Sequence, residues 1–345
     1  MKTSHFKLTT LIFSCILTAC GGGGGGSTTD PVVTGGADTT TTATTTVPVV
    51  TGGNLAITVP PTTYALASAE KLMFDQLNQV RKDGGFGMFT QKTSLDQSAL
   101  SQAKYFQQNY VDQTTGVVLT GTFDTVNGVE RAHTQSPTGL GYIGYLPVDR
   151  AKVFGYSGEV GEVLVSTNDT TNQAIATRCI EGWLVSPAHR VAILNPTTTE
   201  IGFGVFAGTF QDMFGYIGKT CAATPSFNAT SVGVTPANWM AVIPLRGETN
   251  VQTNGAVGQS GYASSIHFPE GSTVAVTTFE ITKTSTAAKL DAAIDTTFSS
   301  HVVFLKPTFP LENITEYEVH FVGTETSTVG ATPKNVDEKW RFTTR

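Results

Sequence analysis

Charge is scarce in this sequence. Only 14% of the 345 residues are Asp, Glu, Lys or Arg, and 27 acidic against 21 basic side chains leave a formal net charge of −6. Proteins that bind nucleic acid need a basic surface that displaces counterions from phosphate, so this balance argues against a nucleic-acid partner. The low charge, the 36 glycines and the abundant Thr are typical of secreted proteins rich in β-structure.

Long hydrophobic runs are also lacking. Residues 8–17 are largely apolar but fall short of the ~20 residues that a membrane-spanning helix needs. With Lys2 and Lys7 beside this stretch, residues 1–19 are typical of a signal peptide. The sequence Leu-Thr-Ala-Cys at positions 17–20 resembles a bacterial lipobox, which implies cleavage before Cys20 and acylation of Cys20. The alternative is a cleaved signal peptide followed by a chance cysteine, because the small residues before Cys20 also suit ordinary cleavage.

The lipobox resemblance implies an exported protein that is attached to the membrane of the bacterial cell envelope through Cys20. Two or more acyl chains hold a protein stably without a spanning helix. Gly21 follows the cysteine, and this implies the outer membrane or the cell surface. Residues 20–61 are rich in Gly and Thr, so we predict a disordered tether with a reach of ~35 Å if it behaves as a flexible coil.

Cysteine is sparse, with four in the chain. Cys15 belongs to the signal peptide and Cys20 to the anchor, which leaves Cys179 and Cys221. Outside the cytoplasm such a pair can persist as a disulfide, and closing the loop between them contributes ~4 kcal/mol in the chain-entropy model. Two buried thiols are the alternative, because spacing along the chain does not show that two Cα atoms approach each other.

The first folded region is predicted over residues 64–222. Apolar residues recur at helical intervals in three segments. The first follows Ser68, which can cap a helix, the second follows Ser94, and the third begins near Asp169. Pro187 disfavours helical angles at the residue before it, so the third helix ends there.

Two strands are predicted at the end of this region. Residues 201–206 alternate large apolar side chains with Gly, and residues 213–217 have the composition of a further strand. Helices beside a small sheet indicate the α+β fold class.

Residues far apart in this region form a recognisable pattern. It consists of Asn78 and Arg81 in the first helix, His133-Thr134, Arg150 before Gly155-Tyr156, Gly161-Glu162, Trp183 with Ser186-Pro187-Ala188-His189-Arg190, and Ile201-Gly202-Phe203-Gly204. Their order and spacing resemble the CAP superfamily, also called SCP or pathogenesis-related protein 1-like. The resemblance covers roughly residues 65–222 and implies an α-β-α sandwich.

In that family two histidines and two acidic residues face one another across a cleft. The resemblance assigns the histidines to His133 and His189 and one acid to Glu162. The other acidic position falls on Ser186, as it often does in bacterial relatives. Because the second acid is missing, the resemblance favours binding over catalysis.

The three carried-over side chains suit two kinds of chemistry. Two neutral imidazoles and a carboxylate, here His133, His189 and Glu162, can hold a divalent metal such as zinc with an open coordination position. The same groups can transfer protons, because histidine titrates near neutral pH and a neighbouring carboxylate fixes its tautomer. Spacing does not choose between these, and no cofactor is required.

Simpler interpretations exist for several of these residues. Without the resemblance, His133 lies in a polar stretch typical of a surface loop, and His189 can cap the preceding helix through its dipole. Arg150 follows Asp149 and can pair with it at the surface. Glu159 matches nothing in the family and is predicted to be a solvated loop carboxylate.

Trp183 continues the apolar stripe of its helix and is predicted to be a core residue. Ser186 beside His189 suggests a serine nucleophile, but the strained Gly-x-Ser-x-Gly turn that exposes such a serine is absent from the sequence.

The second folded region is predicted over residues 228–345. Tyr317, Val319 and Phe321 alternate with polar residues at the period of a half-buried strand. Further strands are predicted at residues 274–281, where a bulge near Thr277 is needed, 301–305 and 340–344. Short strands at such intervals indicate an all-β sandwich. The region also contains Gly261-Tyr262, Lys306-Pro307 with Pro310-Leu311 before Tyr317, and a closing Trp340-Arg341-Phe342-Thr343-Thr344. In these residues it resembles bacterial Ig-like domains, which usually space or adhere. His267, His301 and His320 are predicted to be ordinary strand or edge residues.

These observations lead to three hypotheses. The first is a ligand-binding module at the cell surface, whose cleft holds a small apolar ligand, a lipid, a peptide or a metal. The second is a hydrolase of peptidase-like or cell-wall-directed type that uses His133, Glu162 and His189. The third is an architectural protein with a vestigial cleft.

Overall fold

The computed structural model describes residues 53–126, 128–211, 217–227, 232–255, 260–327 and 331–345. The predicted signal peptide, the lipobox and residues 20–52 of the tether lie outside these ranges, as does most of the strand predicted at residues 213–217. Within the described ranges, no helix has both the length and the apolar composition needed to cross a membrane.

Among the described residues, all helices lie in the first folded region. They are α1 (Ala69–Asp83), α2 (Thr93–Asn109), a 3₁₀ turn (Arg131–His133), α3 (Pro147–Val153), α4 (Asn172–Val185) and α5 (Pro187–Ile193). Ser68 caps α1 by accepting a hydrogen bond from the backbone N–H of Lys71, as predicted. The second helix begins two residues earlier than expected, and the third begins after Thr171, which caps it.

The strands of the first region are β1 (Thr90–Gln91), β2 (Thr125–Val126), β3 (Val129–Glu130), β4 (Val163–Thr167), β5 (Glu200–Gln211) and β6 (Ile217–Pro225). Those of the second are β7 (Ala241–Ile243), β8 (Glu248–Val251), β9 (Ser264–His267), β10 (Thr273–Lys283), β11 (Ala288–Lys289), β12 (Ala292–Asp295), β13 (Val302–Pro307), β14 (Glu316–Thr326) and β15 (Lys334–Thr344).

A four-stranded sheet, in the order β1-β5-β6-β4, lies between two layers of helices in the first region. Successive residues of β4 point to opposite faces. Val163 and Val165 join the core that contains α1 and α4, while Leu164 joins the core formed by α2. The mixed helix and sheet layers expected for the first region are therefore present.

Two glycines of β5 explain how closely α2 packs on this sheet. A Cβ atom on Gly202 would lie 2.1 Å from the backbone nitrogen of Asp96, and one on Gly204 would lie 2.3 Å from that of Leu100. Both distances are far below van der Waals contact. In β5 the glycines therefore face α2 and allow it to pack closely, while the large apolar residues that alternate with them face the core.

Cys179 on α4 and Cys221 on β6 form a disulfide, with their Cα atoms 6.3 Å apart. This confirms the predicted pairing and excludes the alternative of two buried thiols. The bridge ties one helical layer to a central strand of the sheet.

The second region contains two sheets, in the orders β11-β10-β14-β15-β8 and β12-β13-β9-β7. The alternating pattern predicted from Tyr317 to Phe321 is confirmed in β14, whose buried and half-buried residues alternate. The register of β10 against β14 shifts between Val276 and Thr278, where the bulge was expected. The region is therefore rich in strands, as predicted, and β13 and β15 cover the remaining two predicted strands.

The two regions share one hydrophobic core. Buried side chains from α1, α4 and β5 belong to the same cluster as those from β9, β13 and β14. The shared core also includes the end of the predicted tether, because Leu55 packs against it and the N–H of Met88 donates to the carbonyl of Ala56. The predicted disordered tether is therefore too long at its C-terminal end, because residues 53–61 contain apolar side chains that contact the folded part of the chain.

Candidate functional site

His133 is buried, with 3% of its surface exposed, and ends the 3₁₀ turn that follows the β2-β3 hairpin. The N–H of Thr134 closes this turn on the carbonyl of Arg131. The side-chain amide of Gln102 on α2 donates to the carbonyl of Ala132 at 2.5 Å, which holds the turn against the helix. The interpretation of His133 as a surface-loop residue is therefore wrong.

Glu162 connects His133 to Arg150. The Nδ1 atom of His133 lies 3.0 Å from Glu162 Oε1, and Arg150 Nη2 lies 2.6 Å from Glu162 Oε2. A carboxylate only accepts hydrogen bonds, so Nδ1 carries the hydrogen, and in the neutral ring the lone pair is on Nε2. Arg150 Nη2 also donates to the backbone carbonyl of His133 at 3.3 Å.

Arg150 occupies a different place from the one the simpler interpretation gave it. It is fully buried on α3 and donates to the carbonyls of Gly144 and Tyr145 as well as to Glu162. Asp149 does not pair with it but accepts a hydrogen bond from the backbone N–H of Leu146 at the start of α3. The predicted surface pair is wrong, because a buried cation finds its counter-charge in the buried carboxylate.

His189 is fully buried within α5, and in the described part of the chain neither ring nitrogen has a hydrogen-bond partner. Burial, with a smaller contribution from the charge of His133, lowers the pKa of His189 to about 3. The ring is neutral at physiological pH and so cannot act as a cationic helix cap. The influence of His133 on this pKa places the two imidazoles within electrostatic range of each other. That they form one site stays a prediction.

Ser186, Trp183 and Glu159 lie in the helix junction, the core and a loop, respectively. Ser186 is buried at the junction of α4 and α5, and its carbonyl accepts the N–H of Arg190. Trp183 is a core residue, as predicted, and stacks on Phe203 with ring centroids 6.1 Å apart. Glu159 is exposed in a loop, which agrees with its predicted role.

The donor set does not fit a metal centre with three protein ligands. In the ranges that the structure describes, no group of three or more His, Cys, Asp or Glu side chains is arranged to hold a metal ion. Both oxygens of Glu162 already accept hydrogen bonds, from His133 and Arg150. Zinc binding at these residues therefore stays a prediction.

Sequence reasoning missed the glutamines that support the site. Gln102 is fully buried and accepts a hydrogen bond from Gln135, whose own carbonyl oxygen accepts the N–H of Ile143 at 2.7 Å. Gln102 lies off the apolar stripe of α2, so its position predicted an exposed side chain. Burial of a glutamine depends on partners that are distant in sequence, and no local signal marks it.

The layered fold and the paired histidines agree with a family comparison. Residues 74–214 match the model of the Cysteine-rich secretory protein family, known as CAP. This match supports the CAP domain that the sequence motifs predicted. In a comparison with curated proteins, none matches the chain.

Proposed function

We propose that this is an exported, lipid-anchored surface protein whose CAP domain binds a ligand through His133 and His189. The hydrogen bonds of Glu162 carry this proposal. Arg150 neutralises the carboxylate at 2.6 Å, and His133 occupies its other oxygen. Glu162 is thus committed to orienting the His133 ring and is not available as the base of a reaction.

The two imidazoles favour a ligand that combines an apolar body with a polar group. The neutral ring of His189 can both donate and accept a hydrogen bond, which suits a hydroxyl or an amide. The segment that supports Arg150 exposes apolar side chains, with Leu140 66%, Tyr142 39% and Tyr145 36% exposed. Apolar surface with a few polar groups is typical of sites for small ligands. A small apolar ligand, a lipid or a peptide side chain fits this description.

Export and anchoring are supported by the cysteines. The disulfide between Cys179 and Cys221 suits an oxidising compartment outside the cytoplasm. The lipobox-like sequence that ends at Cys20 supplies the anchor. The strand-rich second region, which resembles an Ig-like sandwich, acts as a spacer or an adhesive module at the cell surface. Labelling of cells with radioactive palmitate tests the anchor, and we expect the label on the wild-type chain but not on Cys20→Ala.

The ligand proposal is tested by extracting the purified full chain with organic solvent and analysing the extract by mass spectrometry. We expect a small molecule to accompany the wild type and to be lost from His133→Ala and His189→Ala. His320→Ala is the matched control, because His320 pairs with Asp337 on a strand of the second region. Metal analysis of the same samples shows whether zinc is the ligand. Recovery of the same molecule from all four proteins would contradict the proposal.

A hydrolase is the second candidate. Its support is the hydrogen bond from His133 Nδ1 to Glu162, because a carboxylate that orients a histidine is the arrangement of a general base. Turnover of mixed peptides or of cell-wall material by the wild type, with loss in His133→Ala, would favour this candidate over pure binding.

A further inference from the structure

Arg190 is a buried cation between the CAP domain and the second region. It follows His189 on α5, and its side chain is fully buried. Its Nε donates to the carbonyl of Leu184 on α4 at 2.6 Å. Its Nη1 donates to the carbonyl of Ala263 at 2.6 Å and to Ser265 Oγ at 3.0 Å, and both of these residues belong to the second region.

Aromatic rings complete the surroundings of Arg190. Its guanidinium carbon lies 4.9 Å from the ring centre of Tyr262 and 5.6 Å from that of Phe304. Burial lowers the pKa of this side chain, and Tyr262 and the carboxylate of Glu248 oppose that shift electrostatically. In the described ranges no carboxylate accepts a hydrogen bond from the guanidinium, and burying a charge in this way is costly. Its position is therefore maintained by the carbonyls and rings around it, most of which the second region provides.

Strand β9 is buried on both faces, which explains how it receives Arg190. Ile266 belongs to the hydrophobic core that the two regions share. Ser265 and His267 lie on the opposite face, where Ser265 contacts Arg190 and the His267 ring meets Phe86 of the CAP domain at 5.2 Å between centroids. The second region thus covers the CAP domain with the outer face of one of its sheets.

The helix that carries His189 is held at several points. Beside Arg190, Val191 packs in a cluster with Ala263 and Phe304 of the second region. At the end of α5 the carbonyl of Ile193 accepts a hydrogen bond from Arg81 Nη1 at 2.8 Å. Within the described ranges His189 itself makes no hydrogen bond through its ring, so its position depends on these neighbours.

We infer that Arg190 is a positioning residue: by bridging α5 to β9, it makes the second region a support for the second histidine of the CAP site. This inference rests on the proposed function in so far as the two histidines form the binding site. It assigns the second region a role in the site itself, beyond spacing or adhesion.

The sharpest test changes the second region and observes the CAP site. Ser265→Ala removes one contact of Arg190 without altering the CAP sequence. Ser272→Ala is the matched control, because Ser272 is also fully buried but donates to Glu325 of its own region at 2.7 Å. The full ligand-free chain is labelled at its histidine rings, and His189→Gln identifies the signal of His189 in nuclear magnetic resonance spectra.

We expect Ser265→Ala to displace the His189 ring signal, while Ser272→Ala leaves it at the wild-type position. The inference is overturned if neither variant moves the signal, or if both move it equally. Arg190→Met should displace the signal further, and Arg190→Lys should restore it only in part, because an ammonium cannot reproduce the planar fork of the guanidinium. The signal is read without ligand, so failure of the proposed binding function would leave this test intact.

Discussion

Glu162 accepts hydrogen bonds from the buried side chains of His133 and Arg150. Neutralising Glu162 therefore leaves the charge of Arg150 without this carboxylate as its counter-charge. The Arg150 and Glu162 side chains are both 0% exposed. Breaking a buried pair by neutralising one member costs ~3–5 kcal/mol, because an uncompensated charge remains in the interior. We therefore expect Glu162→Gln to lower the free energy of unfolding by that amount in urea denaturation.

A double-mutant cycle provides the control for this prediction. Arg150→Met together with Glu162→Gln should cost less than the sum of the single changes, since the charge left behind is then removed as well. Asp75→Asn, which breaks the exposed pair of Asp75 with Lys71, should cost ~0–1 kcal/mol. Equal losses from the buried and the exposed pair would contradict the role that we give to Glu162.

His189 makes stability depend on pH. Burial lowers its pKa from 6.5 to about 3, and burial also lowers the pKa values of His267 and His301. Below pH 6.5 the unfolded chain binds a proton that the folded chain does not, so stability is full above pH 6.5 and falls as the pH decreases towards 3.

The expected loss from His189 alone is ~1.4 kcal/mol for each pH unit well below its ordinary pKa. Urea denaturation between about pH 7.5 and about pH 5 measures it. His189→Gln should flatten the dependence, whereas His320→Gln, at a partly exposed position, should not. A stability that is constant over this range would show that the ring is not neutral in the folded protein.

The site residues were only partly predictable from the sequence. His133, Glu162 and His189 stood out because they match a family pattern, and the structure joins His133 to Glu162 directly. The predicted surface pair of Arg150 with Asp149 is wrong because Asp149 is the acidic residue nearest to Arg150 in sequence but is not its partner in the fold. The choice between the two acids depends on which of them the fold buries, and local sequence carries no information about that.

At the level of elements, the glycines of β5 determine the separation between the sheet and α2. Gly202→Ala should lower the unfolding temperature strongly, because the new methyl group would meet the backbone of α2, which cannot move aside. Gly218→Ala on the adjacent strand is the control, since the nearest atom to its added methyl is 3.7 Å away. Thermal melts of both variants test this, and similar melting temperatures would refute it.

Helices and strands with a clear apolar period were the most predictable elements. The caps at Ser68 and Thr171 illustrate the signals that define such boundaries, although only the first was recognised. Strands β9 and β13 are less regular because both of their faces are covered. Their burial comes from contact with the CAP domain, which periodicity within a strand cannot reveal.

For the whole molecule, the shared core couples the two folded regions. Phe86 of the CAP domain packs against Trp239, whose ring N–H donates to the carbonyl of Gly85 at 2.7 Å. Because the same cluster of buried residues spans both regions, the loss of either one exposes the core of the other. We predict a single cooperative unfolding transition.

Differential scanning calorimetry measures this cooperativity. Agreement between the calorimetric and van't Hoff enthalpies of the full chain is the expected result. Trp239→Ala should lower the melting temperature of both regions together, as followed by fluorescence and by far-ultraviolet circular dichroism. Two separate transitions in the wild type would mean that the shared core does not couple the regions.

The first contacts that the described chain makes at its N-terminal end have a mechanical consequence. Asn54 donates its backbone N–H to the carbonyl of Val234 and accepts the N–H of Val234 through its side chain. Val234 lies on the segment that connects the CAP domain to the second region. A force applied at the N-terminus would therefore act first on these two hydrogen bonds between Asn54 and Val234. The helices that carry the histidines would bear the force only after these hydrogen bonds had broken.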